Sequence, residues 1–155
     1  MQDSTEQAAA QVRFDRHYPV AVEKVWRAWT DPQALSRWFF AGRPGAVVEA
    51  EIDLRVGGRY RILTRLPDGE THDVGGEYQE VVPQRRLVFS WAWHSTPERV
   101  SRVSLDFVAE DGGTALHFVH DRFFDDAARA NHERGWQPAI DKLGAVLLQP
   151  DLQEA

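Results

Sequence analysis

The chain has no cysteine and a single methionine. Without cysteine there is no disulfide, no thiolate metal site and no cysteine nucleophile. The absence also fits a reducing compartment. Lysine is nearly missing: Lys24 and Lys142 are the only two, so arginine carries the positive charge. Charge of that sign is outnumbered as well, 18 basic residues against 24 acidic, for a net charge of −6. Nucleic-acid binding needs a basic footprint, so that class is disfavoured. No apolar run approaches the ~20 residues that cross a bilayer. The opening stretch, MQDSTEQAAAQ, has neither a basic n-region nor an apolar h-region, so it does not read as a secretory signal. Together these absences lead us to expect a cytoplasmic protein with no membrane span.

What the chain does have is aromatic residues, with six tryptophans and eight phenylalanines in 155 residues. Three of those tryptophans and two of those phenylalanines fall in VWRAWTDPQALSRWFF, residues 25–40. The length suits one domain, and a chain of this size buries roughly 70% of its unfolded surface. We expect a disordered polar tail over 1–10, a single domain over 11–149 and a frayed end over 150–155. No internal repeat or linker divides the middle.

Residues 11–18 alternate partly and predict a strand that ends before Pro19. Val22, Val25, Trp26 and Trp29 then fall at helical spacing. Thr30-Asp31-Pro32-Gln33 reads as a helix restart, with Thr30 as the cap and Pro32 in the first turn. AGRPG, residues 41–45, reads as a loop. From 46 to 122 the period is two. Gly57-Gly58, Pro67-Asp68-Gly69 and the EDGG at 110–113 mark turns. Leu87, Phe89, Trp91 and Trp93 share one strand face, as do Val103, Leu105 and Phe107, and then Leu116, Phe118 and His120. Asp125 or Asp126 can cap a final helix, whose Trp136, Ile140, Leu143 and Leu147 form one stripe. Pro138 inside it predicts a kink or an irregular first half.

The segments VEKVWRAWTDPQALSRWF, DLRVGGRYR, VVPQRRLVFSW and GWQPAIDKLGAVL follow one another in this order between residues 22 and 147. In sequence and order they resemble the SRPBCC or START-like superfamily, and within it the single-domain bacterial proteins of the activator of Hsp90 ATPase homologue 1-like (AHSA1-like) group. The resemblance implies an α+β helix-grip (START/Bet v 1-like) fold. In that fold a curved antiparallel sheet of about six to seven strands wraps around a long C-terminal helix, with two short helices after the first strand. It also implies a cavity between sheet and helix that binds a small apolar or amphipathic molecule, with a sensing or stress role. The relatives that stimulate Hsp90 carry an additional N-terminal domain. Only about ten polar residues precede the first strand here, so an Hsp90 interaction is not expected. A homodimer is left open.

For a cavity of that kind the alternation nominates Tyr60, Tyr78, Phe89, Trp91, Trp93, Phe107, Phe118 and Trp136 as aromatic walls. His120, Arg122 and His132 are nominated as polar anchors. Trp38, Phe39 and Phe40, just before the 41–45 loop, are expected to form its lip. Two other function classes stay in view. A cyclase- or dehydratase-like enzyme would use His120, His132 or Glu80 as acid or base. A docking module would use the arginine hairpin of Arg55, Arg59, Arg61 and Arg65, although a solvated face with acidic cross-strand partners is the plainer reading. No metal is expected. His117 and His120, three apart on a strand, face opposite sides. Glu49, Glu51 and Asp53 alternate with apolar residues, as a wet strand face does. No cofactor is expected either, because Gly57-Gly58 lies in a hairpin and not in a phosphate-binding loop.

Overall fold

Alternation along the strands decides which face of the sheet is covered. The computed structural model describes residues 10–40 and 44–149. The predicted tail, apart from residue 10, the predicted end at 150–155 and residues 41–43 of the predicted loop lie outside the described residues. The elements in order are β1 (Val12–Tyr18), α1 (Val22–Thr30), α2 (Pro32–Ser36), β2 (Val47–Ile52), β3 (Arg59–Arg65), β4 (Thr71–Val82), β5 (Arg86–Trp93), β6 (Ser101–Glu110), β7 (Gly113–Asp121) and α3 (Asp126–Leu147). All seven strands form one antiparallel sheet in the order β1-β7-β6-β5-β4-β3-β2. This is the helix-grip arrangement, a curled sheet with the long C-terminal helix against it.

The buried sheet face carries Val103, Leu105, Phe107, Leu116, Phe118 and His120, each at most 3% exposed. Helix α3 answers with Trp136, Ile140, Leu143 and Leu147, and α1 with Val25, Trp26 and Trp29. Full burial of side chains this large contributes about 1.5–3 kcal/mol each, which makes this interface the main source of stability. The outer face is charged and wet. Arg61 pairs with Asp73 at 2.7 Å, Arg65 with Glu49 at 3.2 Å and Arg59 with Glu77 at 3.7 Å. The arginine hairpin therefore has acidic partners on the neighbouring strands.

The sheet curls where β4 carries two consecutive glycines. A Cβ on Gly76 would lie 1.9 Å from the carbonyl oxygen of Ser90, and one on Gly75 would lie 2.7 Å from that of Tyr60. Neighbouring backbones come too close there for any side chain. A register shift between Tyr78 and Glu80 adds a bulge, which bends the strand further.

Two local expectations are corrected. The cap of α2 is Asp31, not Thr30. Asp31 has extended backbone, and its carboxylate accepts from the Ala34 amide at 3.0 Å. Thr30 is still the last residue of α1 and donates its hydroxyl to the Trp26 carbonyl at 2.9 Å. Helix α3, in turn, runs unbroken through Pro138, so the irregular first half is not seen. Pro138 and Arg134 are both exposed, so solvent reaches the turn that loses a hydrogen bond.

Candidate functional site

The sheet and α3 do not meet along the whole helix. Near its N-terminal half a cleft of about 390 Å³ remains, walled by Phe39 and Phe40 after α2, Trp91 and Trp93 on β5, and His132 and Trp136 on α3. Asn131, Arg134, Gly135, Pro138 and Ala139 complete the helix side. A second hollow of about 330 Å³ lies beside it, reaching Arg99, Phe123, Phe124 and Asp125. Trp91, Trp93, Asn131 and His132 line both hollows. The wall between them includes a hydrogen bond from the Trp93 indole to His132 Nε2, at 2.9 Å. Deeper under the helix only about 20 Å³ is left, bordered by Tyr60, Tyr78 and Phe89. That is room for about one water and not for a ligand.

The proton positions on both buried histidines follow from their partners. An indole N–H can only donate, so the nitrogen that receives it must carry a lone pair. Trp136 Nε1 donates to His120 Nδ1 at 3.0 Å, which places the His120 proton on Nε2. Nε2 then donates to Ser101 Oγ at 2.7 Å, and Ser101 donates to the Trp91 carbonyl at 3.2 Å. In His132 the roles of the two nitrogens are reversed. Its Nε2 accepts from Trp93, so its Nδ1 carries the proton and donates to the Ala128 carbonyl at 2.6 Å. Burial holds His120 well below the usual histidine range, with the neighbouring His132 adding to the effect. Burial also lowers His132, outweighing the bond to Ala128 that would raise it. Both rings are neutral, with every nitrogen engaged. Neither has a lone pair left for a metal ion or for a substrate proton.

The other nominated residues divide by location. Trp38 is fully buried, with its indole donating to the Ala28 carbonyl at 3.0 Å, so it stands in the core and away from the cleft. Phe107 packs on Trp26, and Phe118 on Trp136, both inside the core. Tyr60 donates to the Ser90 carbonyl at 2.6 Å and packs at a tilt against Tyr78; burial raises the pKa of both phenols. Arg122 is exposed, with a left-handed backbone (φ 65°), beyond the end of β7. Glu80 is exposed and paired with Arg86 at 3.2 Å on the outer face, away from the cleft. Phe40 also has positive φ, at 59°, which is costly for an aromatic residue. That conformation sets its ring 4.9 Å from His72 and 6.5 Å from Trp93, at the cleft.

Sequence reading did not nominate Asn131, Arg134, Gly135, Pro138 or Ala139. Their spacing around His132 and Trp136 carries the signal. Residues 131, 135 and 139, like 134 and 138, recur every four positions on the helix face that meets the cleft.

Comparison with known proteins agrees with this architecture. A family model described as activator of Hsp90 ATPase homolog 1-like protein matches residues 19–148. A protein of Chromobacterium violaceum is similar at 26% identity and a TM-score of 0.78, over 91% of this chain and 99% of its own. The AHSA1 protein of Silicibacter pomeroyi is similar at 28% identity and a TM-score of 0.75, over 89% of this chain and 97% of its own. The AHSA1-like protein of Aeromonas hydrophila gives 27% identity and a TM-score of 0.73, over 88% of this chain and 91% of its own. No curated protein matches the chain.

Proposed function

We propose that this chain, which belongs to the activator of Hsp90 ATPase homologue 1-like family of the SRPBCC superfamily, binds a small, largely apolar ligand in the cleft beside α3. The observation that carries this reading is the cleft itself. Its volume of about 390 Å³ falls in the range of ordinary small-molecule pockets, and Phe39, Phe40, Trp91, Trp93 and Trp136 line it. Burying a ring-sized part of a ligand against Trp91, Trp93 and Trp136 contributes roughly 1.5–3 kcal/mol per contact. The neutral, fully bonded histidines support binding over acid–base chemistry, because they act as wall and not as proton carriers.

The test uses N-phenyl-1-naphthylamine, an uncharged dye that fluoresces when buried. Saturable binding is expected to the intact protein. Gly135→Trp should weaken it at least about tenfold, because Gly135 borders the cleft and has open space where a side chain would begin. The melting temperature should change little. Equal dye affinity in both proteins would rule out the cleft as the binding site.

A further inference from the structure

We propose that the ligand of this cleft is a carboxylic acid, its apolar body among the rings and its carboxylate held at the rim by Arg134. This deepens the ligand-binding reading and rests on it. Among the described residues lining the cleft, Arg134 is the only charged side chain. It has no acidic partner among the described residues. Arg129, five positions earlier on the same helix, is paired twice, with Asp126 at 3.1 Å and Glu133 at 2.8 Å. The outer-face arginines Arg59, Arg61, Arg65, Arg86 and Arg102 are paired too.

Arg134 is also oriented. Its Nη2 donates to the side-chain oxygen of Asn131, one turn back on the helix and itself part of the cleft wall. Asn131 is neutral, so this contact fixes the guanidinium without cancelling its charge. The other donors of the planar fork have no partner among the described residues, and that fork matches a carboxylate through two parallel N–H···O bonds. The rest of the wall is apolar, or neutral as in Asn131 and His132, and among the described lining residues there is no carboxylate to pair with a cationic ligand. Nor does the wall hold a second cation or a helix N-terminus, which a doubly charged phosphate would favour. The chain's net charge of −6 repels anions at a distance. Salt screens that field beyond about 8 Å, so the adjacent guanidinium decides.

The experiment compares 2-naphthoate with 2-naphthamide, the same ring system with and without charge, by isothermal titration calorimetry. The wild-type protein should bind the acid roughly three- to tenfold more tightly, the modest range expected of a rim-exposed arginine. In Arg134→Gln the two affinities should become equal through a loss on the acid side alone. The wild-type preference should also shrink between about 0.05 M and about 0.5 M salt. Equal affinities in the wild type, or a preference that survives in Arg134→Gln, would overturn the carboxylate anchor. If the neutral dye binds while the acid has no advantage, the anchor alone is wrong. If neither naphthyl compound nor the dye binds, the cleft reading falls and the anchor falls with it.

Discussion

Two indole N–H groups hold two histidines in opposite tautomers, His120 protonated on Nε2 and His132 on Nδ1. Protonating either ring would turn its lone pair into a second N–H facing a tryptophan donor. Burial already opposes the charged form, so both histidines have folded-state pKa values below the ordinary 6.5. A depressed value means that the unfolded chain takes up protons the folded chain refuses. Their contribution to stability is therefore complete above about pH 6.5 and is lost as pH falls from there toward the folded values. Urea unfolding across pH 7.5 to 5.5 should show this fall, with a slope of up to about 1.4 kcal/mol per pH unit for each histidine. His120→Gln should be less stable at pH 7.5 and should flatten the slope. An unchanged slope would refute the assignment. None of this was legible in the sequence. Strand alternation puts His120 inside, but its partner Trp136 lies sixteen residues away on another element. Glu80 was a fair candidate by residue type and falls on the outer face only because of the bulge beside Tyr78.

Among the elements, α3 carries one half of the core and one wall of the cleft. Its start is fixed by Asp125, whose carboxylate accepts from the Ala128 amide at 2.8 Å. The carbonyl of that same Ala128 holds His132 in place. Asp125→Ala should cost about 1 kcal/mol by loss of the cap, measured by chemical denaturation. Because it loosens the first turn, it should also speed amide exchange around residues 126–132 more than around 140–147. Uniform exchange along the helix would contradict a local role for the cap. Here the sequence was informative: an aspartate before a helical stripe is a start signal with a mechanism. At α2 the same kind of signal misled by one residue, because Thr30 and Asp31 can both cap and the choice depends on where α1 ends. Pro138 misled in another way. It removes one backbone hydrogen bond, but the turn that loses it is exposed to water, and the helix continues through it.

At the scale of the whole molecule, β1 pairs with β7, so residues 12–18 lie against residues 114–120 and the first and last strands are neighbours in one sheet. Helix α3 packs on this pair through Trp136 and Phe118, and Trp29 meets Trp38 edge-on and Trp136 at a tilt. No strand group has a core of its own, so unfolding should be a single event. Tryptophan fluorescence and far-ultraviolet circular dichroism should give the same denaturation midpoint; separated midpoints would show that the sheet and the helix melt apart. The fold was largely legible because period-two and helical patterns alternate cleanly along the chain. The cleft was legible only in part. Trp91, Trp93 and Trp136 lie on a patterned strand and a patterned helix, but the position of the cleft depends on how far α3 lifts from a curled sheet, which no local pattern records.

The Trp93–His132 hydrogen bond has one further consequence. A neutral bond of that kind contributes about 0.5–1.5 kcal/mol, and near solvent, water can replace either half of it. Energy on that scale is within ordinary thermal fluctuation. On the ligand-binding reading, a ligand too large for one hollow would gain the neighbouring one by displacing the Trp93 indole from His132. Selectivity by size would then be graded, with affinity stepping down once at that threshold instead of vanishing.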